Sequence, residues 1–129
     1  MSDKFIIEII SPDQTILKQD TNEVIIPSFE GQMGILNNHI PLITFLRPGI
    51  ITIKAESEKK FYVEEGTVEF SNNNLLILTS TARELSHLSK SKINEMLQKA
   101  EANLNIESTD KDRYIASYKF QTLKEISQL

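Results

Sequence analysis

The first eighty residues carry their apolar side chains in short alternating runs. Phe5, Ile7 and Ile9 alternate with other residues in the opening run, and Val24-Ile25-Ile26 forms a second, closed by Pro27. Ile50-Ile51-Thr52-Ile53, Phe61-Tyr62-Val63, Val68-Glu69-Phe70 and Leu75-Leu76-Ile77-Leu78 follow. β-branched and aromatic residues dominate these runs, as a pleated, half-buried surface favours. The intervening Lys18-Gln19-Asp20, Glu56-Ser57-Glu58-Lys59 and Asn72-Asn73-Asn74 have turn chemistry. Short strands, frequent turns and no room for crossover helices predict an antiparallel sandwich or barrel.

After Arg83 the period changes. Ile93, Met96, Leu97, Ala100 and Leu104 recur every 3.6 residues, with Ser89 or Ser91 as candidate caps. Asn105-Ile106-Glu107 is a short break. Ser108 or Thr109 then offers a second cap, and Asp110 and Asp112 fall in a first turn where the helix dipole favours acid. Tyr114, Ile115, Tyr118, Leu123 and Ile126 supply apolar groups to a second helix. So short a connection predicts an antiparallel hairpin. Two helices have little core of their own, so they must lie on the sandwich, on another protein, or on each in turn.

Composition narrows the functions. The chain has 129 residues, 40% of them hydrophobic and 25% charged, enough to bury a core. A net charge of -4 argues against nucleic acid as a partner. The acid is concentrated: residues 1–83 carry 7 basic against 11 acidic groups, and residues 84–129 carry 7 against 7. With no cysteine, disulfides, thiolate metal sites and cysteine nucleophiles are excluded. The start Met1-Ser2-Asp3-Lys4 resembles neither a secretory signal nor a transit peptide. No apolar stretch approaches the ~20 residues needed to span a bilayer, so contact with a membrane is expected only through a partner.

Three of the four glycines and three of the four prolines fall between Ile26 and Gly49. Gly31 and Gly34 fit loop positions needing positive φ or close backbone approach. Pro41 and Pro48 fit strand starts, edges or turns, and Pro48-Gly49 suits the centre of a type II turn. The spacing G-x-x-G-I-L-x-x-H-x-P-L-x-T-x-L-x-P-G, from Gly31 to Gly49, resembles the signature of the epsilon subunits of F-type ATP synthases, homologous to the mitochondrial delta subunit. The run Gly66-Thr67-Val68-Glu69-Phe70 through Ala82 and the opening Phe5 to Pro12 resemble the same family. Ser28, Asn37, Glu65 and Ser80 depart from it, where many members have glycine, proline, glycine and aspartate.

The resemblance implies a ten-stranded antiparallel sandwich of two five-stranded sheets over residues 1–83, then a regulatory two-helix hairpin over 84–129. It implies a rotor part without chemistry or cofactor, peripheral on the cytoplasmic face of the bacterial inner membrane. Such a sandwich clamps the gamma shaft and rests on the c-ring. The hairpin lies on the sandwich or extends towards the alpha/beta head, where it opposes ATP hydrolysis. Phe29, Glu30 and Gly31, with His39 near them, are implied on the ring side. Gly34, Pro41, Pro48 and Gly49 are expected to shape loops.

Lys90, Lys92 and Lys99 correspond to positive charge that the family's hairpin offers to the head. Read as residues alone, Lys92 and Lys99 share a helical face, and Glu95 stands four before Lys99, so a solvated mixed-charge face is the simpler expectation. Some bacterial members bind ATP through [IL]-D-x-x-R-A. Here the segment reads Leu88-Ser89-Lys90-Ser91-Lys92-Ile93, a degenerate form lacking the carboxylate and the planar guanidinium, and weak or absent ATP binding is expected.

Two other classes fit the residues less well. A carbohydrate-binding sandwich would want stacking platforms, yet tryptophan is absent and aromatics are 7%. A small hydrolase would want a nucleophile–His–acid set, and His39 has only His87 as a second imidazole.

Overall fold

A computed structural model of the chain describes residues 3–106 and 109–129. The alternative cap Ser108, the break residue Glu107 and the first two residues lie outside that description. Ten strands come first: β1 Phe5–Ile10, β2 Thr15–Thr21, β3 Glu23–Ser28, β4 Gly31–Leu36, β5 Leu42–Leu46, β6 Gly49–Lys54, β7 Glu58–Val63, β8 Gly66–Ser71, β9 Asn74–Leu78 and β10 Arg83–Glu84. A 3₁₀ turn at Leu85–His87 leads to α1 Lys90–Leu104 and α2 Asp110–Ser127.

The strands form two five-stranded layers, β4-β3-β6-β7-β10 and β5-β8-β9-β1-β2, joined by the single pair Ser28↔Leu46. Alternation assigns the core. Phe5, Ile7, Ile9, Leu75 and Ile77 from one layer meet Val24, Ile26, Ile51, Ile53 and Phe61 from the other, all at most 3% exposed. Each such aliphatic side chain contributes roughly 1.5–3 kcal/mol by burial.

One pairing departs from the all-antiparallel expectation: β1 runs parallel to β9, from Ile6↔Asn74 to Ile10↔Leu78. The connection between them is the seven intervening strands rather than a helix, so the rule against short parallel crossovers is not broken. The polar segments read as turns also differ. Lys18-Gln19-Asp20 lies inside β2, paired with Glu8, Ile7 and Ile6 of β1, and Glu58-Lys59 inside β7, paired with Lys54 and Ile53 of β6, so ladder pairing overrides their turn chemistry. Asn72 and Asn73, with φ of 52° and 57°, do form the two-residue β8–β9 turn, in the left-handed conformation that type I′ hairpins require.

The hairpin lies on the outer face of β6 and β7. On β7, Phe61 and Val63 point into the sandwich while Tyr62, between them, points out and is fully buried under the helices. Ile93, Ala100, Leu123 and Ile126 join Tyr62 in this second core, with Ile50, Leu85 and Leu88 at its edge. Ser89 Oγ accepts from the Lys92 amide at 3.1 Å and Thr109 Oγ1 from the Asp112 amide at 3.0 Å, capping the two helices.

Candidate functional site

The β3–β4 tip carries Phe29, Glu30 and Gly31. Ser28 Oγ donates to the Gly31 carbonyl at 2.7 Å and accepts from the Glu30 amide at 3.2 Å, so one hydroxyl closes the turn. Gly31 has φ 122°, a region closed to other residues, with open space around its Cα. Glu30 is exposed. The Phe29 ring, 41% exposed, stacks on Tyr114 of α2 at 6.0 Å and 17°.

His39 is not near this tip. The tip and the 37–41 loop lie at opposite ends of β4, whose six residues span about 20 Å at ~3.3 Å each. The His39 ring meets Phe70 edge-on at 5.8 Å, and its Nδ1 donates to the Ile40 carbonyl at 2.7 Å. Asn38, at φ 62°, and Asn73 bind each other twice, Asn38 N to Asn73 Oδ1 at 2.6 Å and Asn73 Nδ2 to Asn38 Oδ1 at 3.1 Å. His39 therefore belongs with the β8–β9 turn, and sequence proximity to the glycines misplaced it.

The residues expected to shape loops do so unequally. Pro41 immediately precedes β5, and Pro48 lies in the two-residue connection from β5 to β6. Gly34 is inside β4 opposite Ile25, and Gly49 begins β6 opposite Val63. Gly49 lacks the positive φ of a type II turn. Its constraint is close approach, since a Cβ there would stand 2.4 Å from Pro27 Cβ.

The outer face of the second layer carries an exposed apolar patch on β5 and β9, bordered by Thr67 and Glu69 of β8. Ile43 and Phe45 on β5 are 76% and 59% exposed, and Leu78 on β9 is exposed beyond them. Phe45, Thr67 and Leu78 form one row across β5, β8 and β9; Ile43, Glu69 and Leu76 form the next. Leu36, at the end of β4 in the other layer, and Ile40, in the following loop, are also exposed.

The hairpin's polar contacts lie on the first layer. Lys119 reaches Glu64 at 2.9 Å, and the Tyr62 hydroxyl donates to the same carboxylate at 3.0 Å. Burial first, then the Glu64 charge, pushes the Tyr62 phenol well above its ordinary range. The Arg47 guanidinium lies 4.0 Å over the Tyr118 ring. A cavity of about 480 Å³ opens between sandwich and hairpin, lined among others by Glu64, Arg83, Lys92, Lys99 and Lys119. Lys92 and Lys99 both pair with Glu95, at 3.8 and 3.4 Å, and Lys90 begins α1 in an exposed position. Leu88 packs in the hairpin core and Ser89 is occupied as a cap. Sequence reading missed Arg47, Glu64 and Lys119. The Tyr114–Tyr118 spacing was a visible signal on α2, but nothing local joined it to Arg47.

Comparison with known proteins agrees with this geometry. Residues 4–85 match the family model described as ATP synthase, Delta/Epsilon chain, beta-sandwich domain. The chain is 47% identical over 130 residues to an ATP synthase epsilon chain of Pelagibacter ubique (strain HTCC1062), covering 98% of this chain and all of that one. It is 36% identical to the chloroplastic ATP synthase epsilon chain of Gracilaria tenuistipitata var. liui, covering 86% and 84%. A chain in the Euglena gracilis mitochondrial ATP synthase superposes with a TM-score of 0.79 at 23% identity, covering 97% of this chain and 82% of that one. The matched strands, their order and the near full-length relative place the chain in the ATP synthase delta/epsilon family.

Proposed function

We propose that this chain is a non-catalytic central-stalk subunit of an F-type ATP synthase, turning with the rotor and coupling the c-ring to the catalytic head. The observation that carries this is the uncovered apolar face around Ile43, Phe45 and Leu78, in a chain whose opposite face is already occupied by its own hairpin. Exposed contiguous apolar surface of this kind marks a protein interface. The gamma shaft is the partner proposed for it, and the exposed tip at Phe29, Glu30 and Gly31 is proposed to meet the ring. Among the described residues no helix is long and apolar enough to cross a membrane. Attachment at the cytoplasmic face of the inner membrane is proposed to run through these partners.

The division of labour proposed is a docking sandwich and a regulatory hairpin; the expected boundary between residues 83 and 84 falls inside β10, so the sandwich runs to Glu84 and the helices follow it. Here the hairpin is docked. Extended, it would bring Lys90, Lys92 and Lys99 to the alpha/beta head and oppose hydrolysis. ATP is not proposed as a ligand of the docked state: Ser89 caps α1, and Lys92, Lys99 and Lys119 already have carboxylate partners. The test is to replace Ile43 and Phe45 together by glutamate. Loss of binding to a gamma-containing complex, with the sandwich still folded, supports the reading. Unchanged binding sinks the assignment of this face.

A further inference from the structure

The tip and the hairpin are joined by a chain of rings that begins and ends at the base of the tip. Phe29 stacks on Tyr114; Tyr114 meets Tyr118 edge-on at 4.8 Å and 71°; Arg47 lies over Tyr118 at 4.0 Å. The Arg47 amide then donates to the Pro27 carbonyl at 3.0 Å, and the Phe29 amide donates to Phe45 at 3.1 Å. Ser28 orders the backbone of the tip without help from α2, whereas the stacking partner of the Phe29 ring is Tyr114. Arg47 depends on the same helix. Its Nη1 donates to the Pro48 carbonyl at 3.0 Å, its buried Nε has no hydrogen-bond partner among the described residues, and the Tyr118 ring of α2 lies against the guanidinium.

We propose that the β3–β4 tip and α2 form one linked device, in which a rotor-ring surface seated on the tip favours the docked hairpin. Departure of α2 strips Phe29 of its stacking partner and Arg47 of its ring at the same time. A ring surface that meets Phe29 as Tyr114 holds it gains affinity from the docked state. By reciprocity it holds α2 down by the same factor. Docking on the ring thus restrains the helix that would otherwise reach the head. The proposal rests on the tip being the ring-facing surface, and deepens that reading.

The test is amide hydrogen exchange across α2 in the full chain, alone and with an added c-ring and shaft assembly. Phe29→Ala and Tyr114→Ala should each speed exchange of α2 roughly two- to tenfold, as expected for one aromatic pair. The double variant should match Tyr114→Ala rather than multiply the effects, and Phe29→Tyr should behave as the parent. Sandwich exchange serves as the folding control. The assembly should slow α2 exchange in the parent and do so less in Phe29→Ala. Unchanged α2 exchange in Phe29→Ala, or effects that multiply, would overturn the linkage. So would an assembly that binds the chain yet leaves α2 unaffected. An assembly that binds Phe29→Ala and Glu30→Ala as tightly as the parent would instead remove the tip from the ring side, a different failure.

Discussion

Lys119 on α2 reaches Glu64 on the sandwich at 2.9 Å, and Tyr62 donates to the same carboxylate from beneath the helices. Both charged side chains are 30% exposed, so the pair is screened and its worth is modest, about 0.2–1 kcal/mol. Lys119→Ala is expected to raise the opening of α2 a few-fold and to reduce its sensitivity to salt. Hydrogen exchange at low and high ionic strength checks this.

Tyr62 gives the hairpin an alkaline limit. Its ordinary value is 10.0, and burial under α1 and α2 together with Glu64 raises it in the folded chain, while Arg83 pulls it slightly back. The folded value lies above the unfolded one, so the contribution is complete below pH 10 and is lost as the pH climbs beyond it. Stability should be flat with respect to this group up to about pH 10 and fall above it. Tyr62→Phe should flatten the alkaline slope while losing about 1 kcal/mol for the hydrogen bond to Glu64. Denaturant midpoints measured across that range decide.

Gly49 and Gly34 belong to one motif yet should respond unequally to alanine. At Gly49 the new methyl would lie 2.4 Å from Pro27 Cβ, in a rigid ring that cannot rotate away. Gly49→Ala is expected to cost about 1–3 kcal/mol. At Gly34 the nearest atom is Glu23 Oε2 at 3.4 Å, the end of a flexible side chain. Gly34→Ala should stay within about 0.5 kcal/mol of the parent. Equal losses at both would contradict the close-approach explanation.

Ser89 stands where ATP-binding relatives of the resembled type have aspartate, and here it caps α1. Ser89→Ala should cost about 1 kcal/mol in the first turn. Millimolar ATP should leave the exchange of both helices unchanged. A micromolar dissociation constant would show that the cavity beside Lys92, Lys99 and Lys119 binds nucleotide despite its internal ion pairs.

Strand alternation made most of the core legible: Ile7, Ile9, Ile51, Ile53, Phe61 and Val63 point where a period of two puts them. The period change after Arg83 made both helices legible, and Ser89 and Thr109 were among the expected caps. β4 was not legible as a strand, because Gly31 and Gly34 read as loop while the ladder to β3 depends on a partner in space. The parallel β1–β9 pair was hidden for the same reason. The docking contacts join residues far apart in the chain, Arg47 with Tyr118 and Glu64 with Lys119, and no local period encodes such pairs. Two departures from the family pattern turn out to face each other: Ser80 donates to Glu65 by its hydroxyl at 2.8 Å and its amide at 3.2 Å.

The most direct test of the rotor reading adds the purified chain to a gamma-containing ATPase head stripped of this subunit. A parallel sample carries the chain cut after Leu88, which keeps β10 intact. Binding and ATP hydrolysis are measured together. Tight binding by both forms, with hydrolysis lowered only by the full chain, is the predicted result. Absence of binding by either form would contradict the assignment of this chain to the central stalk.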